Sequence, residues 1–456
     1  MILEKEFFYK GLSKVFEYAT IYRILNSGVL PMHNLLTDFL KNSLTPFHVT
    51  ANAAELLEEH GFVRLYETAD WSICEGGKYY LIRGGSLVAF TVGSLDDFTY
   101  KIVASHTDSS ALKLKENPVR KIENYATLNV EKYGAGILYS FFDRPLKIAG
   151  RVVRRIGGML KEETITAPFL VTIPSLAIHQ NREVNDKFAV NPQIDLQPLC
   201  ATLNEECSAE DVLHSIVGEH ALAYDLFLVN ADQPYNFGAN NEFLASPRID
   251  NLTSVCASLE ALLAHAESNG VCVAACLNNE EVGSVSTEGA DSDFLENTLR
   301  RIAYALRFDD NEYYKALAGS FMLSADNAHA VHPNHPEKSD PTNRCLLGNG
   351  IVIKTHAGKA YTTDAVCAAI AKTVFDNAEI KHQSFYNRSD MKSGGTLGVL
   401  SQRHLGVPCA DIGIAQLAMH SACECIATED YNALKKGLAA FFASTIHFNG
   451  ETVTVE

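Results

Sequence analysis

The segment VCVAACLNNEEVGS, residues 271–284, joins an apolar run to two consecutive glutamates. Its first half, Val271–Leu277, is uncharged and consists of small or branched side chains, which is typical of a strand buried on both faces of a parallel sheet. Such sheets bind ligands outside the carboxyl ends of their strands. Glu280 and Glu281 follow this strand after Asn278 and Asn279, so the segment predicts both a fold class and the sheet edge that carries function.

Strand-like and helix-like segments alternate around this run, which predicts an α/β fold with a mostly parallel sheet flanked by helices. Upstream, Pro46 and Gly61 are placed to begin and end a helix, and Gly84-Gly85 divides a predicted hairpin. The first 35 residues could form one amphipathic helix. Downstream of residue 242 we predict helices at 251–268, 291–307, 365–376 and 431–445, and strands at 271–277, 321–325 and 351–354.

Between about residues 112 and 241 the sequence pattern differs, because short strand-like runs are separated by turns and long helical patterns are few. We therefore predict two domains. Residues 1–111 and 242–456 would form a discontinuous α/β domain, and residues 112–241 would form a β-rich domain inserted into it.

The composition restricts the class of protein. The chain has 38 basic and 55 acidic side chains, a formal net charge of −17, and 47% hydrophobic residues. An acidic globular chain argues against partners such as nucleic acid or an anionic membrane surface, which need clustered Lys and Arg. No uncharged apolar run approaches the roughly 18–20 residues of a membrane span.

The cysteines and the amino-terminal sequence predict a cytoplasmic protein. The eleven cysteines lie mostly in apolar runs, as expected of buried thiols in a reducing compartment. Cys272 with Cys276, or Cys423 with Cys425, could instead bind a metal, but no second pair at zinc-finger spacing accompanies them. The amino-terminal MILEKEFFYKG lacks the apolar region of a signal peptide.

Five strand ends or edges carry residue types that bind metals. These residues are His106 with Asp108, Asp250, Glu280 with Glu281, Asp326, and His420. Each alone has an ordinary explanation, since an aspartate can cap a helix or form a turn, paired glutamates can form a solvated turn, and a histidine can be a core residue. Their shared position at strand ends favours one common site.

A two-metal centre explains this selection of residues. Two divalent ions held roughly 3.5–4 Å apart need a bridging carboxylate, further nitrogen and oxygen ligands, and an open position for water. Asp250 suits the bridge, and the glutamate pair offers one ligand and one free base. Asp108 lies two residues after His106, where it could accept the imidazole N–H and fix the tautomer. A nucleotide-binding function is disfavoured because no phosphate loop or dinucleotide fingerprint is present.

The sequence resembles the aspartyl aminopeptidases, a family of dinuclear zinc exopeptidases, from about residue 36 to its end. The resemblance rests on seven segments in the family's order: ASHTDS (104–109), IPSLAIHQNREVN (173–185), SPRIDNL (246–252), NNEEVGS (278–284), SADNAHAVHPNH (324–335), RSDMKSGGTLG (388–398) and QLAMHS (416–421). It implies a metalloaminopeptidase that hydrolyses the first residue of peptide substrates, preferably Asp or Glu.

The resemblance also implies a role for each matching residue. The implied metal ligands are His106 and Asp326 for one ion, Glu281 and His420 for the other, and Asp250 as the bridge. The other implied residues are Glu280 as general base, Asp108 orienting His106, His179 supplied across a dimer interface, Lys354 meeting an acidic substrate side chain, and His329 and His332 in the pocket. The cofactors would be two Zn²⁺ per subunit, although these ligand types also accept Co²⁺ or Mn²⁺.

The resemblance further implies the assembly of the protein. The inserted β-rich domain at 112–241 would form dimers, and the dimers would build a homododecamer, a tetrahedral shell that encloses the active sites. Only short, unfolded peptides would then reach the metals.

The sequence departs from the family pattern after Lys354. The family's Asn-x-x-Gln-Arg-Tyr is replaced by Thr-His356-Ala-Gly-Lys359-Ala-Tyr361, and Lys392 stands where relatives often have a small or uncharged residue. The roles of these residues and of residues 1–35 stay open. Two alternatives follow, namely the same chemistry with a neutral or broad preference, such as Leu or Met, and a catalytically silent shell-forming assembly protein. The presence of every expected ligand and of the base argues against the second.

Overall fold

The computed structural model describes residues 35–264 and 268–456, and it contains helices and strands in the predicted alternation. Residues Phe39–Glu456 form one compact unit. The amphipathic helix predicted within the first 35 residues lies outside the described residues, apart from Leu35. The described helices are α1 (Leu35–Asn42), α2 (Pro46–Glu59), α3 (Ala209–Val217), α4 (Ile249–Ala264), α5 (Phe294–Ala305), α6 (Asp310–Ala318), α7 (Ala365–Asn377), α8 (Leu397–Leu405) and α9 (Thr428–Ala443).

The strands fall into two large sheets and one small hairpin. They are β1 (Val63–Arg64), β2 (Lys78–Arg83), β3 (Ser86–Val92), β4 (Tyr100–His106), β5 (Ala111–Ile122), β6 (Tyr125–Tyr133), β7 (Leu146–Ile156), β8 (Met159–Val171), β9 (Leu199–Thr202), β10 (Ala221–Asn230), β11 (Tyr235–Phe237), β12 (Phe243–Ser246), β13 (Val271–Leu277), β14 (Phe321–Ala325), β15 (Ala328–His329), β16 (Ile351–Lys354), β17 (His382–Phe385), β18 (Cys409–Leu417), β19 (Glu424–Ala427), β20 (Ile446–Asn449) and β21 (Thr452–Val455).

The larger sheet confirms the predicted fold class. Its strand order is β1-β2-β3-β13-β4-β14-β18-β19-β12-β11, with β15, β16 and β17 attached beside β18. The central strands β13, β4, β14 and β18 are parallel, and antiparallel strands flank them. Every residue of β13, β4 and β14 is buried, which explains the mostly apolar sequence of these strands; the buried Lys101 of β4 donates to the backbone carbonyls of Phe442 and Ser444.

Helices cover the large sheet and fix the alignment of its strand ends. Side chains of β4 and β13 pack with α5, α6 and α8 in one apolar core, while α4 packs on α9. In the sheet register Leu277 pairs with His106, and Ala325 pairs with Ile412. The segments that follow these parallel strands therefore emerge side by side at one edge.

The smaller sheet is antiparallel and forms the separate β domain that the sequence predicts. Its order is β8-β7-β10-β5-β6-β9, and its apolar core includes Leu128, Ile148 and Leu226 together with Ile216 of α3. All of its strands lie between residues 111 and 230. The domain boundaries at 112 and 241 remain a prediction. Among the described residues, no helix is long and apolar enough to cross a membrane.

Candidate metal centre

The predicted metal-ligand residues come together at the carboxyl edge of the large sheet. His106 ends β4, and Asp326 directly follows β14. Glu280 and Glu281 begin a 3₁₀ turn, Glu280–Val282, after β13. Asp250 lies at the start of α4, where the backbone is not helical.

Asp250 lies between His106, which ends β4, and His420, which lies in the turn after β18. Its Oδ1 is 3.3 Å from Nε2 of His106, and its Oδ2 is 3.7 Å from Nε2 of His420. Oδ1 of Asp326 is 3.5 Å from His106 Nε2, and Oε2 of Glu281 is 3.5 Å from His420 Nε2. The potential ligand atoms of His106, Asp250 and Asp326 all lie within 4.8 Å of one another. Each histidine thus shares Asp250 and has a second carboxylate of its own.

The electrostatics of this cluster fit a divalent cation. Burial, together with the carboxylates of Asp326 and Asp108, raises the pKa of Glu280, although His106 opposes this shift. Burial lowers the pKa of His106, but Asp108, Asp250 and Asp326 outweigh it and raise that pKa well above its ordinary value. Oδ1 of Asp250 is buried without a hydrogen-bond donor among the described residues. Imidazole nitrogens and carboxylate oxygens are the ligands zinc prefers here, so the donor set fits a zinc ion.

Asp108 contacts both His106 and the glutamate turn. Nδ1 of His106 lies 3.0 Å from the backbone carbonyl of Asp108 and 3.5 Å from its carboxylate. The carboxylate accepts hydrogen bonds from the backbone N–H groups of Glu280 and Glu281, both at 3.1 Å. The hydroxyl of Tyr133, which the sequence did not single out, also donates to it at 2.8 Å. The side chain of Asp108 is therefore committed chiefly to the turn that carries the two glutamates.

The two glutamates differ in exposure and in partners. Ser110 donates to Glu281 from its backbone N–H and its hydroxyl, each at 3.1 Å, and the Glu281 side chain is 2% exposed. The Glu280 side chain is 20% exposed, and its Oε2 lies 4.0 Å from His106 Nε2. Glu281 is thus fixed, while Glu280 faces the open side of the cluster.

Lys354 is buried beside Asp326 at the end of β16. Its Nζ donates to Oδ2 of Asp326 and to the carbonyl of Asn327, both at 3.3 Å, and lies 5.2 Å from the ring centroid of Tyr361. Burial lowers the pKa of Lys354, but Asp326 outweighs this effect and raises it. The structure therefore brings Lys354 to the cluster through a predicted metal ligand.

The remaining predicted histidines are not among the residues whose potential ligand atoms converge, although His329 interacts electrostatically with Asp250, Asp326 and His420. His179 is exposed in the loop after β8. His329 and His332 are also exposed, and they line a cavity of about 270 Å³ with Met419, the neighbour of His420.

The residues left open after Lys354 make local contacts. Nδ1 of His356 accepts from the N–H of Gly358 at 3.1 Å, and Nζ of Lys359 donates to the carbonyl of Thr362 at 3.1 Å. Lys392 is exposed.

One buried acid of the centre, Glu424, was missed by the sequence analysis. It begins β19 and is 3% exposed. Its carboxylate accepts hydrogen bonds from the backbone N–H groups of Asp250 and His420, at 2.9 and 2.8 Å. Its position four residues after His420 was the available signal, but no side-chain pattern marked it as different from an ordinary surface acid.

Comparison with known proteins identifies the family. The chain matches the model of the family described as "Aminopeptidase I zinc metalloprotease (M18)" over residues 39–442. A curated relative, the probable M18 family aminopeptidase 2 of Clostridium acetobutylicum, is 41% identical over 422 residues, covering 89% of this chain and 97% of the relative.

Two solved structures show the same fold. A chain of the cryo-EM structure of the Ape4 and Nbr1 complex is 32% identical with a TM-score of 0.84, covering 90% of this chain and 84% of that one. The structure of the S. cerevisiae mApe1 dodecamer is 27% identical with a TM-score of 0.75, covering 89% and 95%. Since family model, relative and fold agree over nearly the whole described chain, this protein belongs to the M18 family of zinc metalloproteases and is an aminopeptidase of that family.

Proposed function

We propose that this aminopeptidase removes amino-terminal Asp or Glu from peptides at a centre of two Zn²⁺ ions per subunit. His106 and Asp326 would hold one ion, Glu281 and His420 the other, and Asp250 would bridge them. The observation that carries this proposal is the placement of Asp250, whose two oxygens face two different histidines at 3.3 and 3.7 Å. A bridging carboxylate between two sets of ligands is what a two-metal site requires.

The chain's own residues supply the proton transfers of peptide hydrolysis. When bound, the ions would polarise the scissile carbonyl and lower the pKa of water. Glu280, on the open side of the cluster, would accept a proton from the attacking water and pass it to the leaving amine as the C–N bond breaks. Asp108 would hold Glu280 in place through its backbone N–H. His179 from a second copy of the chain would help to stabilise the oxyanion.

Lys354 would provide the preference for an acidic first residue. It is a buried cation next to the proposed ligand Asp326, so a substrate held at the metals could extend a carboxylate toward it. The α-amine of the substrate would be recognised near the metal-binding carboxylates, and His329 and His332 would line the pocket. A hydrogen bond to a charged group contributes about 1.5–3 kcal/mol, enough to select Asp or Glu by tens of fold.

Assembly and location belong to the same proposal. The structure of the related S. cerevisiae mApe1 is a dodecamer, and His179 of this chain lies in an exposed loop. Both observations support an assembly in which residues 112–241 form dimers and the dimers form a dodecamer. All eleven cysteines are free, which supports a reducing cytoplasmic location.

Kinetics on anilides of Asp, Glu and Leu test the specificity, with and without thorough metal removal. We expect Asp and Glu to be preferred and chelation to abolish turnover. A clear preference for Leu would favour the alternative with a neutral or broad specificity, because the sequence around Lys359 departs from the family. Absence of any peptidase activity in zinc-replete protein, unchanged by Glu280→Gln, would favour a silent assembly protein.

A further inference from the structure

We infer that Glu424 is a positioning residue that fixes the backbones of two proposed metal ligands, Asp250 and His420, relative to each other. This inference rests on the proposed two-metal centre. One carboxylate oxygen, Oε2, accepts from the N–H of Asp250 at 2.9 Å, and the other, Oε1, accepts from the N–H of His420 at 2.8 Å. No other side chain among the described residues joins these two backbones by hydrogen bonds.

The sheet register places Glu424 where it can make both contacts. Glu424 pairs with Ser246 across the antiparallel strands β19 and β12. Strand β12 leads into the segment that presents Asp250, while Glu424 itself follows the turn that contains His420. The Glu424 carboxylate therefore lies between the segment that leads from β12 to Asp250 and the turn that contains His420.

Both ligands need such support because neither lies on regular backbone. Asp250, near the start of α4, has non-helical backbone angles of φ −84° and ψ 106°. His420 has φ +64°, and Ala418 two residues earlier has φ +56°. A residue with a side chain is strained in this left-handed region, so the surroundings must hold it there. The hydrogen bond from His420 N–H to Glu424 is a direct restraint on this conformation.

The chemistry of the contacts defines the form of the side chain that fits. Both oxygens face N–H donors, and a carboxylate can accept at both, whereas an amide can accept at one only. Glu424 is 3% exposed, and no cationic side chain among the described residues forms an ion pair with it. The buried guanidinium of Arg248 interacts with this carboxylate electrostatically, and the bound metal ions would add further positive charge nearby.

Zinc affinity of the Glu424→Gln variant of the full chain tests the inference, and Asp430→Asn is the matched control. Asp430 is also buried and accepts from two backbone N–H groups, those of Gly348 and Gly350, at 2.8 and 2.7 Å. Both substitutions remove one of two backbone contacts, but Gly348 and Gly350 precede β16 and are not proposed ligands. Competition with a chromophoric chelator gives the zinc affinity, and differential scanning calorimetry gives Tm.

We expect Glu424→Gln to weaken zinc binding by about 10–100-fold, the usual effect of removing a group that orients a ligand. Asp430→Asn should lower Tm to a similar extent and leave zinc affinity unchanged. Saturating zinc should restore part of the activity of Glu424→Gln, whereas Asp430→Asn, at a similar loss of Tm, should reach its full activity at the same zinc concentration as the unmodified protein. If Glu424→Gln does not fold, Glu424→Asp, which is too short to reach both N–H groups, should weaken zinc binding in the same direction.

Zinc affinity within twofold of the unmodified protein in either Glu424 variant would overturn the inference. So would an equal loss of zinc affinity in Asp430→Asn, because the effect would then be general destabilisation. A failure of the proposed function looks different, since the unmodified protein itself would bind no zinc or hydrolyse no peptide.

Discussion

Asp108→Asn separates two roles for one carboxylate, orienting His106 and holding the glutamate turn. In the structure Oδ1 accepts from the N–H of Glu280, while Oδ2 accepts from the N–H of Glu281 and from the hydroxyl of Tyr133. An asparagine has one acceptor oxygen, and the side with two donors will take it. Its NH₂ group then faces the N–H of Glu280, so the substitution acts mainly on the proposed base.

The structure sets the size of the expected effect. A hydrogen bond to a charged group contributes about 1.5–3 kcal/mol. If that loss falls on the placement of Glu280 in the transition state, kcat decreases by roughly 10- to 150-fold, because each 1.36 kcal/mol is a factor of ten. The closest contact of His106 Nδ1, to the Asp108 carbonyl at 3.0 Å, is unaffected, so zinc affinity should be nearly unchanged.

Steady-state kinetics on an Asp-anilide, with zinc titrated in parallel, distinguish the two roles. Tyr133→Phe is the control, since it leaves both backbone contacts to the Asp108 carboxylate intact and should reduce kcat by less than Asp108→Asn. A full kcat in Asp108→Asn would refute the reasoning. A loss of activity that excess zinc restores completely would show that the carboxylate acts through His106 instead.

Three further predictions concern specificity, metal dependence and the β domain. Lys354→Met should lower the preference for Asp- over Leu-anilide by tens of fold, from about 1.5–3 kcal/mol for a charged hydrogen bond, and an unchanged ratio would place the selecting cation elsewhere. Removal of zinc by a chelator should abolish turnover and lower Tm in calorimetry, because the crowded carboxylates lose their counter-charge. Zinc, Co²⁺ or Mn²⁺ added back should restore both turnover and Tm. Full activity in metal-free protein would contradict the mechanism. Burial raises the pKa of Asp225, but Lys113 and Arg151 outweigh this effect and lower that pKa below its ordinary value of 3.8. The two ion pairs therefore stabilise the fold fully at pH values above 3.8, and this stabilisation is lost as the pH falls through the lowered pKa. Asp225→Asn should therefore lower Tm at pH 7, the effect should shrink progressively as pH falls below 3.8, and an effect that does not shrink would contradict the assignment.

Local sequence pattern was enough to predict part of the large sheet, including its central strands β13 and β14. The run Val271–Leu277 is a strand with the predicted bounds, because seven uncharged residues are stable only where both faces are covered. The helix predicted from Pro46 is α2, whose first turn suits a proline. Helix α6 was missed although Asp309 and Glu312 form a capping box at its start, because its few apolar residues gave a weak helical period.

The centre could be predicted only in part. Some of its residues can be recognised from their position at the end of a strand, whereas others reach the centre only through the way the strands pair. His106 and Asp326 were found since they end parallel strands that neighbour each other. Tyr133 and Glu424 were not: Tyr133 depends on the register of the β5–β6 hairpin, which places it opposite Ala111, and Glu424 reaches Asp250 through the pairing of β19 with β12, strands far apart in sequence. Lys354 was found, but its spacing in the sequence carries no information about its contact with Asp326.

The contact between Lys354 and Asp326 links metal binding to substrate choice. In the structure one carboxylate oxygen of Asp326 faces His106 and the other faces Lys354, at 3.5 and 3.3 Å. A zinc ion bound at His106 would draw on the same negative charge that now holds Lys354, and so would weaken the hold of Asp326 on this lysine. The cation would then be freer to meet a substrate carboxylate when metal is present than when it is absent. Acidic ligands should consequently bind more tightly to zinc-loaded than to zinc-free protein. Lys354→Met should remove most of that difference in affinity. The affinity for a neutral ligand such as leucine should change little on the same substitution. Equal gains on zinc loading for acidic ligands in Lys354→Met and in the unmodified protein would mean that the metals alone attract the acid.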